Sequence, residues 1–194
     1  MEITAFHGKK ELKEKYLKRV LAHRKADEIV KGKYWKDGKG CAVGCTLESD
    51  NLKGDIHKLM EVELGIPEEL ARTEDWLFES LENGEAKMFP EQFLESINVG
   101  ADLSQVCRKF KLEIQKDNLK LQIKQSKKFP ELKEVYDKVL PAIKQVIDLL
   151  SQENPAQSAQ FVAESAAESA AQSAWSAQYS RMAKIIIKIL KEAK

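Results

Sequence analysis

The stretch PELKEVYDKVLPAIKQVIDLLS, residues 130–151, decides the fold class. Its apolar side chains fall at Leu132, Val135, Tyr136, Val139, Leu140, Ile143, Val146, Ile147 and Leu150, in steps of three and four. That is the period of an amphipathic α-helix with one apolar and one solvated face. Pro141 lies inside the run. It removes a backbone donor and crowds the preceding turn, so a kink or break is expected there.

The same period recurs in both directions along the chain. Residues 9–31 carry Leu12, Tyr16, Leu17, Val20, Leu21, Ile29 and Val30, with Gly32 as a stop signal. Ile56, Leu59, Met60 and Leu64 mark a short helix. Pro67, Glu68 and Glu69 suit the first turn of the next one, which carries Leu70, Trp76, Leu77, Phe78 and Leu81. Asn83-Gly84 is read as its end, and Pro90 as the start of a short helix with Phe93, Leu94 and Ile97. Asp102 with Gln105 resembles a capping box and opens a helix through Val106, Phe110, Ile114 and Leu121. Ser151 to Asn154 reads as a linker, and the last helix runs from Pro155 to Glu192.

This last helix has a face of small residues between Ala163 and Ala177, including Ser165, Ser169, Ser173 and Ala166, Ala170, Ala174 at four-residue steps. Such a face allows a second helix to approach closely, within the chain or in another copy. The basic, isoleucine-rich end, Ile185 to Leu190 between lysines, is expected to dock on the core. The expected fold is therefore mainly α: a multi-helix bundle with a glycine-rich loop or β-hairpin near residues 32–47 and a long C-terminal helix. Residues 1–150 form the helical domain. Residues 151–194 form the linker and the last helix, packed on the same domain.

Composition narrows the function. The formal net charge is only +1, which argues against a dedicated nucleic-acid binder. Three cysteines, Cys41, Cys45 and Cys107, are too few for a disulfide framework and fit a reducing, cytoplasmic setting. No window reaches the roughly 20 apolar residues of a membrane span.

One segment departs from ordinary packing sequence: Gly32-Lys33-Tyr34-Trp35-Lys36-Asp37-Gly38-Lys39-Gly40-Cys41-Ala42-Val43-Gly44-Cys45-Thr46-Leu47. Either residues 33–35 and 41–47 pair as a hairpin around Asp37-Gly38, or a glycine loop feeds a helix starting near Cys41. The missing alternation of polar and apolar residues favours the helix. Both thiols would then share a face, and Cys41 would sit at a helix start, where a thiol pKa falls. With His57 or His7 as base, and Asp55, Asp27 or Glu28 to orient it, Cys41 has the minimum parts of a cysteine hydrolase or transferase. The ordinary alternative is that Cys41 and Cys45 are buried apolar residues. A metal set of Cys41, Cys45 and His57, with His7, lacks a completing pair, so no metal or cofactor is expected. Tyr34, Trp35 and Lys39 suggest a ligand or nucleotide loop, or simply a core anchor with solvated lysines.

His7-Gly8-Lys9, Gly40-Cys41-Ala42-Val43-Gly44-Cys45-Thr46-Leu47, His57, Glu63-Leu64-Gly65-Ile66-Pro67 and Gly100-Ala101-Asp102-Leu103 resemble a group of uncharacterised bacterial and phage proteins with a Gly-Cys-Ala-Val-Gly-Cys motif. The resemblance covers the first half of the chain and implies no activity. The expected function is a helical protein-interaction module that pairs with itself or another helical protein. The cysteine enzyme and the ligand loop are its alternatives.

Overall fold

The computed structural model describes residues 4–48, 55–152 and 175–194. It is mainly α. After a tight turn at Ala5–Gly8, the helices are α1 (Lys10–Lys25), α2 (Ala42–Leu47), α3 (Ile56–Leu64), α4 (Glu68–Ser80), α5 (Asn83–Ser96), α6 (Val106–Lys128), α7 (Lys133–Ser151) and α8 (Trp175–Glu192). Two short strands, β1 (Trp35–Lys36) and β2 (Lys39–Gly40), pair antiparallel. Among the described residues no helix is long and apolar enough to cross a membrane.

Both readings of residues 33–47 contribute. Asp37 and Gly38 have φ of 55° and 76°, the doubly left-handed turn that a two-residue hairpin requires. The hairpin is confined to residues 35–40, and the chain then enters α2 with Cys41 at its N-cap. All six residues of α2 are buried, and the helix packs against α1, α3, α4 and α5. A helix so enclosed must find partners for its end groups inside the protein. The Cys41 N–H donates to Lys33 O at 2.8 Å. The Arg19 guanidinium donates to Thr46 O and Leu47 O at 2.8 and 3.1 Å.

The glycines of the motif serve this burial. A Cβ on Gly44 would stand 1.4 Å from the Tyr34 carbonyl oxygen, and one on Gly40 would stand 2.0 Å from the same atom. The loop before the hairpin therefore lies directly on the helix backbone. Gly65 plays a similar part. It ends α3 at φ 65°, and a Cβ there would meet Thr4 O at 2.1 Å. The N-terminal segment is further tied by Ala5 N–H to Ala101 O and Gly100 N–H to Ala5 O, at 3.0 and 2.8 Å.

Some boundaries differ from expectation. Asn83-Gly84 opens α5 rather than closing α4, because Leu81 and Glu82 take extended φ/ψ and make the break themselves. Pro90 is inside α5, where burial of Phe89, Phe93 and Leu94 outweighs one lost backbone bond. Pro141 does not break α7, since it lies on the exposed face, where water can take the freed carbonyl.

Contacts divide the chain into two compact units, Met1–Cys107 with Ser176–Lys194, and Arg108–Trp175. The division falls between residues 107 and 108. The described end of α8 explains the first grouping. Tyr179, Met182, Ala183, Ile186, Ile189 and Leu190 are buried at helical spacing within that unit. Asn98 donates to Ala193 O and the Asp102 N–H to Lys194 O, at 3.0 and 2.8 Å. The basic isoleucine-rich end is docked, as its pattern implied. The alanine–serine stretch up to residue 174 lies outside the described residues. In the second unit, α6 and α7 form an antiparallel hairpin: Leu112 packs on Val146 and Leu150, and Arg108 donates to Leu150 O at 2.7 Å.

Gly44→Ala tests the close approach. Helix propensity alone would favour alanine by about 1 kcal/mol. The clash with Tyr34 should reverse this and cost about 3 kcal/mol. Gly84→Ala, where a Cβ meets nothing within 4 Å, should not destabilise. Urea midpoints of the two variants measure the contrast.

Candidate functional site

Helix α2 separates two polar clusters, each built around a histidine. On one side, Asp55 is the N-cap of α3 and accepts from the His57 backbone N–H at 3.0 Å. The His57 ring lies between two carboxylates, with Nδ1 3.1 Å from Asp55 Oδ1 and Nε2 3.2 Å from Asp75 Oδ2. Arg72 pairs with Asp55 from α4. The Tyr34 ring meets His57 edge-on, with centroids 5.7 Å apart. On the other side, His23 Nδ1 and Nε2 lie 2.7 and 2.8 Å from Glu28 and Glu48, and Trp35 meets the ring edge-on. Arg19 completes that cluster by pairing with Glu48 at 2.9 Å.

These contacts set the chemistry. The hydrogen bond to Asp75 raises the His57 pKa above the ordinary imidazole value, with Asp55 adding to it. Both ring nitrogens are engaged, which leaves none to accept a proton from a nucleophile. The Cys41 thiol is 1% exposed. Burial pushes its pKa far up, and the Asp75 carboxylate pushes further in the same direction. A nucleophilic thiol needs the opposite surroundings. Cys45 is pushed up to about 12, chiefly by burial, and its Sγ donates to Gly40 O at 3.2 Å.

The structure therefore brings Cys41 and His57 to one carboxylate without pairing them with each other. The Cys45 Sγ lies 3.8 Å from Glu28 O, on the side of the His23 cluster. His7 is exposed and its Nε2 bonds Val62 O at 3.0 Å, away from both cysteines. Tyr34 is exposed, while Trp35 turns to the second cluster, so the pair forms no shared stacking surface. Lys39 is exposed on β2. Of the orienting carboxylates named from sequence, Asp55 does contact His57, and Glu28 contacts His23.

Asp75 and Glu79, which tie this site together, escaped the sequence reading. Their one visible signal is the i, i+4 spacing on α4. Cys41 Sγ and a carboxylate oxygen from each of Asp75 and Glu79 all lie within 4.8 Å of one another. Of the metal set considered from sequence, only Cys41 belongs to this group. Glu79 is anchored by the Gly32 N–H, at 3.0 and 3.1 Å to its two oxygens. Beside them Glu74 is fully buried, and neither carboxylate oxygen has a hydrogen-bond partner among the described residues.

Comparison of the chain with protein-family models, with curated proteins and with solved structures finds no match.

Glu74 gives a pH test. Burial raises its pKa well above the usual carboxylate range, with the Asp75 charge adding to it. The folded protein keeps the proton that the unfolded chain releases. Stability is therefore lost as pH rises through the ordinary carboxylate range. Glu74→Met should stabilise the protein by about 1–3 kcal/mol at pH 7 and by less at pH 4. Equal gains at both pH values in denaturant melts would show that Glu74 carries no such penalty.

Proposed function

We propose that this protein is a helical protein-interaction module that pairs with a second copy of itself through the α6–α7 hairpin. The observation that carries this reading is the uneven cover of one stripe. Ile143, Val146 and Leu150 are buried at the end of α7. Leu132 and Val135, at the other end of the same stripe, are 44% and 53% exposed. Phe129, just before α7, and Leu121 and Ile123 on α6 are also more than one-third exposed. An apolar stripe that stays exposed along part of its length is the usual sign of a missing partner.

A second copy suits this surface because a two-fold contact must be self-complementary. Around the exposed end of the stripe charges of both signs are interspersed: Glu131, Lys133, Glu134, Asp137 and Lys138. Two such segments placed antiparallel set lysines against carboxylates. Two helical hairpins joined in this way form a four-helix arrangement. Burying each leucine or valine would contribute about 1.5–3 kcal/mol.

Light scattering across a concentration series tests the reading. The mass should rise from the 22.0 kDa of one chain to twice that value. The double variant Leu132→Lys, Val135→Lys should stay at single-chain mass with an unchanged circular dichroism spectrum. Val62→Lys, at an exposed valine on α3, should associate normally. A wild-type mass that never departs from one chain would overturn the proposal.

A further inference from the structure

We propose that Cys41, Asp75 and Glu79 form a binding site for a divalent transition ion of the zinc class. The proposal is independent of the hairpin surface. Its geometric basis is convergence: one donor atom from each residue lies within 4.8 Å of the other two. Asp75 and Glu79 stand one helical turn apart on α4. Cys41 comes from the start of α2, which packs on α4.

A second observation points to a cation. Asp75 Oδ2 accepts from His57, but Oδ1 is buried and has no hydrogen-bond partner among the described residues. The group beside that carboxylate is the Cys41 thiol, a weak donor, and a bound ion would satisfy the buried oxygen better. The Cys41 thiol beside it is also shut off from water. Two carboxylates and the thiol sulfur converge here, and His57, which bonds Asp75, is shared with Asp55.

The donor set selects the ion. A thiolate with two carboxylates suits a borderline transition ion, whereas magnesium and calcium take oxygen ligands only. Bonds of about 2.3 Å to sulfur and about 2.0–2.2 Å to oxygen require the donors to draw closer, and the exposed Glu79 side chain can supply that movement. On binding, the sulfur–metal bond forms as the thiol proton leaves to solvent. The ion then offsets two of the three ligand charges, and His57 hydrogen-bonds Asp75 beside it. His57 acts as a positioning residue by holding Asp75 in place. Three protein ligands leave a coordination position for water or an exogenous anion.

Cobalt titration of the metal-stripped full chain is the test, because thiolate-to-cobalt charge transfer reports sulfur coordination directly. The absorption should saturate at about one cobalt per chain and be displaced by zinc. It should be absent in Cys41→Ser and retained in Cys45→Ser. Glu79→Gln, at an exposed position that leaves the core intact, should weaken binding at least about tenfold. Absence of the band in the wild type, its persistence in Cys41→Ser, or unchanged affinity in Glu79→Gln would each overturn the site.

Discussion

The first unit depends on one close approach: the Tyr34 carbonyl seated against Gly40 and Gly44. Without side chains at those two positions, the loop can press on the backbone of α2 and shield it completely. That contact fixes everything nearby. The Lys33 carbonyl receives the Cys41 N–H, the Gly32 N–H reaches Glu79, and the rings of Tyr34 and Trp35 reach His57 and His23. A six-residue helix has little intrinsic stability. It persists because four other helices enclose it and Arg19 satisfies its last carbonyls.

Burial of α2 also explains why so many charges gather around it. Its ends must be satisfied, and the side chains that do so bring counter-charges. Arg19 brings Glu48, which brings His23 and Glu28. Asp55 caps α3 and brings His57, which leads to Asp75. His57 and His23 are each thereby held between two carboxylates. The hydrogen bond to Asp75 favours the charged His57 ring, and burial keeps the Cys41 and Cys45 thiols protonated. In three dimensions the motif cysteines are buried, and Cys41 lies beside the carboxylates of Asp75 and Glu79.

The second unit follows a different logic. Among its described residues α7 has the strong amphipathic pattern, and Val146 and Leu150 pack with Leu112 in a buried cluster. The apolar stripe outruns the cover, so the same pattern that makes α7 a secure helix leaves Leu132 and Val135 at the surface. The first unit thus holds an enclosed polar cluster, and the second exposes apolar side chains such as Leu132 and Val135.

The helical class, most helix positions, the Asp37-Gly38 turn and the docking of the final isoleucine-rich segment were legible from local pattern alone. Periodicity and turn chemistry are properties of neighbouring residues, and they survive in any fold that buries the apolar face. Four things were decided only by tertiary structure: the start of α5 at Asn83, the division at 107/108, the different polar neighbours of Cys41 and Cys45, and the convergence of Asp75 and Glu79 on Cys41. Each depends on which distant segment supplies a partner. Asp75 and Glu79 read in sequence as ordinary solvated acids on a helix. They became site residues because Gly40 and Gly44 allow α2 and its preceding loop to close on that helix, and sequence spacing carries no record of such an approach.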